Sequence, residues 1–542
     1  MESLFKEEIP SEISKVRKRK KRRESKAVFK DCRQDQSMLL PPSLEDLIPA
    51  EHLVRVVNSA VEQIDLESLI KTYKGGGRSA YDPKMMLKVL VYSYIMKVYS
   101  SRRIAKALRE DVNFMWISGM NKPDFRTINN FRSGRLKESI DKVFTSMLMF
   151  LLDNKFVKLE NYFVDGTKID ANANKFTYVW ASNTERYKAA TVQKIKDLLK
   201  EINRINEEEN KQYGNHDLEE TGDGADQITS EKLKEQVNRL NEIIKNIGDK
   251  EPEKKNKKKL TQAVKTIQKR YIPKLVKYEQ QEITLDGRGS YSKTDKDATF
   301  FMNKADQLLP GYNVIIGTEN QIILNYNIYR KASESDNFIN HIEDFKNRSN
   351  RYPLRAVGDG AYGTEENYTY LDKKGIEIYL KYGEFNKEQS DNFSDKPFHK
   401  SHFEYDEKKD EYKCPNGKKL EFVEEADIQT KTGYVQTIRK YKGLDCKLCE
   451  LYDLCCKSKE QPRTIQTSVQ LEEYKKQARE NLLSSLGREL RNSRSTDVET
   501  VFADIKYNQG YRRFNLIGLD KVKVEFGLLS MAHNFKKIRR CS

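Results

Sequence analysis

The segment Asn161-Tyr-Phe-Val-Asp165-Gly-Thr-Lys-Ile169 contains an apolar run that ends at Asp165 and is followed by Gly166. This pattern is typical of a buried strand that presents a carboxylate at its mouth. The segment Leu354-Arg-Ala-Val-Gly-Asp359-Gly360 has the same form. A single aspartate of this kind most often forms a turn or caps a helix. Two of them in one sheet make a site for a metal ion or a phosphate an equal alternative.

The elements between these aspartates predict a mixed α/β sheet. The pattern predicts two strands, Gly311–Thr318 and Gln321–Tyr329. A turn at Glu319-Asn320 separates them, so we expect a hairpin. Helices and strands then alternate, in the order helix Asp336–Arg348, strand Leu354–Gly358, helix Glu365–Lys374 and strand Ile376–Leu380.

Two insertions interrupt this pattern. The first, from about Thr184 to Gln280, is highly charged, and its heptad-like apolar positions predict an antiparallel helical insertion with a loop at His216–Asp226. The second, over residues 385–460, contains short strands, turns and cysteines.

A helical region precedes the sheet. Residues 43–153 show apolar positions at helix spacing, and their last helix begins in Pro123-Asp-Phe-Arg-Thr-Ile-Asn-Asn-Phe-Arg132. Short helices that end in one rich in Arg, Asn and Thr favour a helix-turn-helix-like reader of the major groove. The alternative is an ordinary helical bundle with a polar outer face. The residues expected to contact DNA are Arg126, Thr127, Asn130 and Arg132.

The composition agrees with a nucleic-acid partner without requiring one. The chain has 542 residues, with 99 Lys plus Arg against 82 Asp plus Glu, a formal net charge of +17. Such an excess favours polyanions, although solvated lysine-rich faces also produce it. A secretory signal and an apolar run long enough to span a bilayer are both missing from the sequence. We therefore expect a cytoplasmic protein without a membrane partner.

A third acidic candidate lies on a predicted helix. Val498, Phe502 and Ile505 form an apolar stripe, and Glu499 and Lys506 are seven residues apart and share another face. A surface helix with compatible charges has the same local pattern.

Taken together, these segments resemble bacterial insertion-sequence DDE transposases. The resemblance rests on Val164-Asp-Gly-Thr-Lys168, on Gly358-Asp-Gly-Ala-Tyr362 and on Val498-Glu499 with Lys506, in that order along the chain. The segment Asp124–Arg132 is similar to the helical DNA-binding domain of the family. The resemblance covers roughly residues 40–540 and implies a ribonuclease-H-like α/β core behind an all-α, helix-turn-helix-like domain.

The resemblance also implies roles. Asp165, Asp359 and Glu499 would hold two Mg²⁺ ions, which Mn²⁺ can replace, for cleavage of the element ends and strand transfer. Lys506 and Arg494 would hold phosphate beside the metals. The implied partners are double-stranded DNA, as terminal inverted repeats and as target, and a second copy of the chain on that DNA. The implied location is the bacterial cytoplasm, in association with the nucleoid.

The sequence departs from the family pattern in three places. Arg494 lies one residue further from Glu499 than the stricter signature of the family requires, and Asn492 replaces a tyrosine. No tryptophan follows Trp180, so the sequence leaves open whether excision passes through a DNA hairpin.

The cysteines form a separate constellation. Cys414, Cys446, Cys449 and Cys455 lie in a turn-rich segment and could supply four thiolates to a structural Zn²⁺. Reduced, partly buried thiols are the equal alternative.

These observations predict a domain organisation in which two insertions interrupt the core. The predicted parts are a basic disordered arm (1–40), a helical DNA-binding domain (41–155), a ribonuclease-H-like core (156–180, 285–384 and 471–542), a charged helical insertion (181–284) and a strand- and cysteine-containing insertion (385–470). Two other functions share the acidic residues, namely a metal-dependent nuclease without strand transfer and a transposase-derived DNA-binding regulator without catalysis. A coiled-coil scaffold would explain the helical insertion but not the strand-end aspartates.

Overall fold

The computed structural model describes residues 43–73, 79–213, 228–246, 253–303, 306–331, 333–390, 397–444, 446–456 and 461–541. The chain divides into two units, residues 1–47 and 48–542, and all the helices and strands below belong to the second. The predicted basic arm and the whole of the predicted loop His216–Asp226 lie outside the described residues.

The N-terminal region is helical, as predicted, and its described residues form seven α-helices. They are α1 (Leu53–Gln63), α2 (Glu67–Ile70), α3 (Pro83–Ile95), α4 (Ser101–Glu110), α5 (Val112–Ile117), α6 (Phe125–Asn130) and α7 (Leu136–Asp153). Aspartates begin several of them: Asp82 accepts from Lys84 N before α3, and Asp124 accepts from Thr127 N at 2.6 Å before α6. The buried side chains of these helices and of the sheet belong to one continuous core, so the predicted boundary at residue 155 stays a prediction.

The main sheet contains six strands. They are β1 (Asn161–Asp170), β4 (Thr299–Met302), β5 (Leu308–Glu319), β6 (Ile322–Tyr329), β7 (Arg355–Gly358) and β8 (Glu377–Leu380). The hairpin β5–β6 is antiparallel, β1 pairs antiparallel with β5, and β7 and β8 continue the sheet parallel to β1. Strand β4 adds to β5, and the small ribbon β2 (Tyr178–Trp180) and β3 (Ser290–Ser292) stands apart.

Helices cover this sheet. They are α12 (Phe338–Ser349), α13 (Glu365–Lys373), α14 (Phe385–Glu388), α16 (Val469–Leu483), α17 (Ser485–Arg494), α18 (Thr500–Ala503) and α19 (Leu519–Cys541). Helix α19 packs against β6 on one side and against α3 and α7 on the other. The antiparallel strands β1, β5 and β6, extended by β4, and the parallel strands β7 and β8, each followed by a helix, confirm the predicted ribonuclease-H-like core.

The helical insertion lies between β2 and β3, the two strands of the separate ribbon. It contains α8 (Ala181–Tyr213), α9 (Ser230–Asn246), α10 (Glu253–Thr266) and α11 (Ile272–Leu285), with a π-helical turn at Ile267–Tyr271. Its apolar stripes bury one another in a core of their own, which includes Ile202 and Leu233. The heptad-like pattern therefore predicted the correct kind of insertion.

The second insertion contains a five-stranded antiparallel sheet. Its strands are β9 (Glu404–Asp406), β10 (Glu411–Lys413), β11 (Lys419–Gln429), β12 (Val435–Gly443) and β13 (Thr464–Thr467), and a short helix α15 (Tyr452–Cys455) precedes β13. Within the described ranges, we find no helix long and apolar enough to cross a membrane.

Candidate active site

The three acidic residues come from separate elements that meet beside β1, at the point where β7 ends. Asp165 lies in the middle of β1, not at the end of the strand where the sequence predicted it, whereas Asp359 directly follows β7. Strands β1 and β7 run parallel, with Phe163 opposite Val357. Asp165 and Asp359 each follow two residues later, so Asp165 on β1 lies level with Asp359, the residue that directly follows β7. Glu499 comes from the helical segment between α17 and α18, which packs against β1 and β5.

A single guanidinium contacts all three carboxylates. Arg494 Nη2 lies 3.0 Å from Asp165 Oδ1 and 3.9 Å from Asp359 Oδ2. Its Nη1 lies 2.6 Å from Glu499 Oε1, and the arginine side chain is only 11% exposed. The structure thus brings together four of the residues that the sequence singled out.

A π-helical turn explains how Arg494 reaches Glu499. On an α-helix, residues three or four apart are neighbours, whereas residues five apart turn away from each other. The chain adopts a π-helical turn over Ser495–Glu499, and such a turn closes hydrogen bonds between residues five apart. This turn accommodates the one extra residue by which the sequence departs from the stricter family signature.

Burial sets the protonation of Asp165. Desolvation raises the pKa of its carboxyl from 3.8 to about 6, and the neighbouring charges of Asp359 and Glu499 act in the same direction. Arg494 opposes this shift but does not cancel it. The metal-free site therefore favours a proton on Asp165 more than the unfolded chain does.

A pH dependence of stability follows. Because the folded pKa lies above the unfolded value, the native state binds this proton more tightly, and its stability falls as the pH rises from about 4 to about 6. Asp165→Asn removes this titrating group. In EDTA, the free energy of unfolding of wild type should therefore fall relative to that of Asp165→Asn by up to about 3 kcal/mol between pH 4 and pH 7. Thermal unfolding of both proteins across this range measures the difference. A difference that does not change with pH would contradict the raised pKa.

Three further residues surround the site. The sequence patterns did not indicate Glu334 or Lys381, and Tyr362 entered only as the last residue of the Gly358–Tyr362 motif. The Glu334 side chain lies against Gly166, and burial followed by the charges of Asp165 and Asp359 raises its pKa. Burial and the neighbouring Arg494 lower the pKa of Lys381, which follows β8. The Tyr362 hydroxyl is buried near these acids and has no hydrogen-bond partner among the described residues.

The donor atoms of the site fit a divalent metal ion. Carboxylate oxygens are the hard ligands that Mg²⁺ prefers, and they already surround a cationic group, the guanidinium of Arg494. As they stand, no three or more His, Cys, Asp or Glu side chains in the described part of the chain are arranged to hold a metal. Metal binding at the three carboxylates therefore requires Arg494 to move.

Lys506 is held against β1. Its Nζ donates to Thr167 Oγ1 at 2.6 Å and to the carbonyl of Lys168 at 2.9 Å. These contacts place the ammonium beside the strand that carries Asp165. Its predicted contact with phosphate stays a prediction.

The predicted DNA-contacting residues on and after α6 separate into two groups. Arg126 and Asn130 are exposed and Thr127 is half-buried, so these three remain candidates. Arg132 is 4% exposed, and its guanidinium donates to the carbonyl of Tyr99 at 2.7 Å and to Ser101 Oγ. The structure gives the predicted DNA contact of Arg132 no support, because its donors join the π-helical turn before α7 to Tyr99 and to the start of α4 inside the protein.

The cysteine segment places five thiols around one small cavity. The cavity has a volume of about 20 Å³, and the cysteines that line it are Cys414, Cys446, Cys449, Cys455 and Cys456. All five are free thiols, and burial raises the pKa of Cys455 to about 11. The amide of Lys418 donates to Cys414 Sγ at 3.2 Å. As these described side chains stand, they do not form a metal site, so the zinc hypothesis stays a prediction.

Metal analysis of the purified protein tests that prediction. We expect about one zinc per chain, because thiolates around a cavity of this size can rearrange to the tetrahedral geometry that zinc requires. Cys446→Ser should lower the zinc content, and Cys541→Ser, outside the segment, should leave it unchanged. Protein free of stoichiometric zinc would assign these cysteines to reduced, partly buried thiols instead.

The fold and the acidic site define a ribonuclease-H-like protein with a triad of two aspartates and one glutamate. Two family models match the chain. The family described as Transposase DDE domain matches residues 413–539, which contain Arg494, Glu499 and Lys506. The family described as Transposase domain (DUF772) matches residues 42–134, which contain α6. The two matches confirm the resemblance to DDE transposases of insertion sequences; the search of curated proteins finds no match to the chain.

Proposed function

We propose that the chain binds the terminal inverted repeats of its own insertion sequence, cleaves the DNA there and joins the freed ends to target DNA. The observation that supports this most directly is the convergence of Asp165, Asp359 and Glu499 on one cation, the guanidinium of Arg494, beside β1. Neither matched range contains the two aspartates, so their assignment rests on this geometry.

The residues divide the work. Asp165, Asp359 and Glu499 would hold two Mg²⁺ ions, and the chemistry that these would supply is activation of the attacking oxygen and stabilisation of the leaving 3′ oxygen. Asp165 holds a fixed position because it lies on β1, and Asp359 because it directly follows the neighbouring strand β7; Glu499 completes the set from the helix. Lys506, seven residues beyond Glu499, positions a phosphate beside the carboxylates.

The partner is duplex DNA, with two copies of the chain on it. Exposed side chains of α6, Arg126 and Asn130 among them, contact the inverted repeat. Joining requires two element ends in one complex, so we expect a dimer on DNA, measured by light scattering of the complex. Binding to chromosomal DNA would place the protein at the nucleoid.

Cleavage of labelled duplex taken from the flanks of the gene tests the proposal. We expect Mg²⁺-dependent cuts at the element ends and, with target DNA present, joined products. Cuts without joined products would identify a nuclease instead. Binding without cleavage in Mg²⁺ or Mn²⁺ would identify a DNA-binding regulator.

A further inference from the structure

One helix of the insertion carries a concentrated positive charge. Between Lys254 and Tyr271 the chain contains eight basic residues and no acidic one. The basic residues are Lys254, Lys255, Lys257, Lys258, Lys259, Lys265, Lys269 and Arg270. This segment covers α10 and the π-helical turn that follows it. The rest of the insertion mixes both signs of charge, so the excess is local.

The two faces of this helix differ completely. Leu260, Val264 and Ile267 are buried against α8 and α9 in the core of the insertion. Lys254, Lys258, Lys265 and Lys269 are exposed on the other side. Their spacings of four, seven and four residues keep them on one face over about 22 Å. An open depression of about 860 Å³ lies along this face and is lined wholly by residues between Lys254 and Arg270.

The chemistry of this face selects a phosphate backbone as its partner. The depression is lined by lysines, one arginine, threonines and one glutamine, all of which can donate to phosphate oxygens. An anionic membrane surface would need large apolar side chains beside the lysines. The large exposed apolar residues of the described chain include none between Lys254 and Arg270.

We propose that this lysine face, defined by Lys254, Lys258, Lys265 and Lys269, binds the backbone of duplex DNA without sequence preference. The insertion begins after β2 and ends before β3. Strand β3 contacts β4, which lies at the margin of the sheet that carries Asp165. The lysine face therefore extends the contact along the same duplex whose end lies at the acidic site. The inference rests on the proposed function and adds a second, electrostatic anchor to it.

The salt dependence of DNA binding by the full chain tests this. A fluorescent duplex from the element end is titrated between 50 and 300 mM salt, and a variant with all four lysines replaced by glutamine is compared with wild type. The slope of log affinity against log salt is negative, and each lost phosphate contact makes it shallower by about 0.9. The four substitutions should therefore make it shallower by about 3 to 4. The matched control replaces Lys194, Lys200, Lys232 and Lys234, four exposed lysines on α8 and α9, and should change the slope by less than about 1.

The outcomes are separable. If wild type cleaves the element ends but the lysine-face variant and the control lose slope equally, the inference fails and the proposed function stands. If wild type does not bind the duplex at all, both fail. Loss of binding to anionic phospholipid vesicles, with an unchanged DNA slope, would assign the face to a membrane surface and overturn the inference. Circular dichroism of both variants verifies that the insertion remains folded.

Discussion

Asp359→Asn is expected to abolish metal-dependent DNA cleavage, by about 10³-fold or more, while DNA affinity stays within about twofold of wild type. The substitution removes the negative charge that a metal ligand needs and keeps the shape of the side chain. Its structural cost should be small, because Asp359 is 40% exposed and lies 3.9 Å from Arg494. Its Oδ1 accepts from Ala361 N at 3.0 Å, a hydrogen bond that an asparagine oxygen can also accept.

The measurement is the rate of end cleavage in Mg²⁺ alongside the thermal unfolding midpoint. Asp520→Asn is the matched control. Asp520 lies on α19, is 59% exposed and forms an ion pair of 2.9 Å with Lys137 of α7. The control should cleave like wild type. An Asp359→Asn protein that cleaves at the wild-type rate would remove this aspartate from the site. A large fall in its unfolding midpoint would mean that the loss of activity reports misfolding.

The sheet was largely predictable from sequence because its strands are short, apolar and bounded by turn residues. β7 and β8 begin one residue later than predicted, and the turn of the β5–β6 hairpin falls at Asn320-Gln321, both with positive φ, instead of Glu319-Asn320. The two aspartates were predictable for the same reason, since each directly follows a buried apolar run. Their matching positions follow once β1 and β7 are parallel neighbours.

The pairing of Arg494 with the carboxylates could not be predicted by counting residues. Regular α-helical geometry places Arg494 and Glu499 on different faces, and only the π-helical turn aligns them. Glu334 was missed for a different reason: it lies in a polar segment after β6 that carries no periodic signal. It joins the site because Gly166 leaves room for its side chain.

The role of Arg132 depended on packing that local sequence does not specify. Its segment has the Arg- and Asn-rich composition of a DNA-reading helix. Composition alone does not show whether the arginine side chain faces solvent or the protein interior. The side chain faces inward because Tyr99 and Ser101, about thirty residues earlier, provide its acceptors. Composition therefore identified the helix but not the face that it exposes.

Arg494→Gln is expected to weaken the metal-free protein and to make it respond more strongly to Mg²⁺. Arg494 pairs with three carboxylates, of which only Asp165, 16% exposed, is buried with it, whereas Asp359 and Glu499 are 40% and 51% exposed. Solvent screens the two exposed carboxylates, so removing the guanidinium should cost less than the about 3 to 5 kcal/mol of a fully buried pair. In EDTA the variant should therefore unfold at a lower temperature than wild type. The same guanidinium competes with metal for the carboxylates, so the variant should reach half of its Mg²⁺-induced stabilisation at a lower Mg²⁺ concentration.

Unfolding midpoints measured across a Mg²⁺ titration distinguish this competition from a purely structural role. Arg494→Lys should lie between wild type and Arg494→Gln, because it keeps one positive charge but loses the forked contact to Asp165 and Glu499. Arg491→Gln, on the same helix but stacked over the Phe385 ring, is the matched control and should leave the Mg²⁺ response unchanged. An identical Mg²⁺ response in Arg494→Gln and wild type would mean that the arginine does not compete with metal. If the response is larger only in Arg494→Gln, the guanidinium holds the place of the metal in the metal-free site and must leave before catalysis can begin.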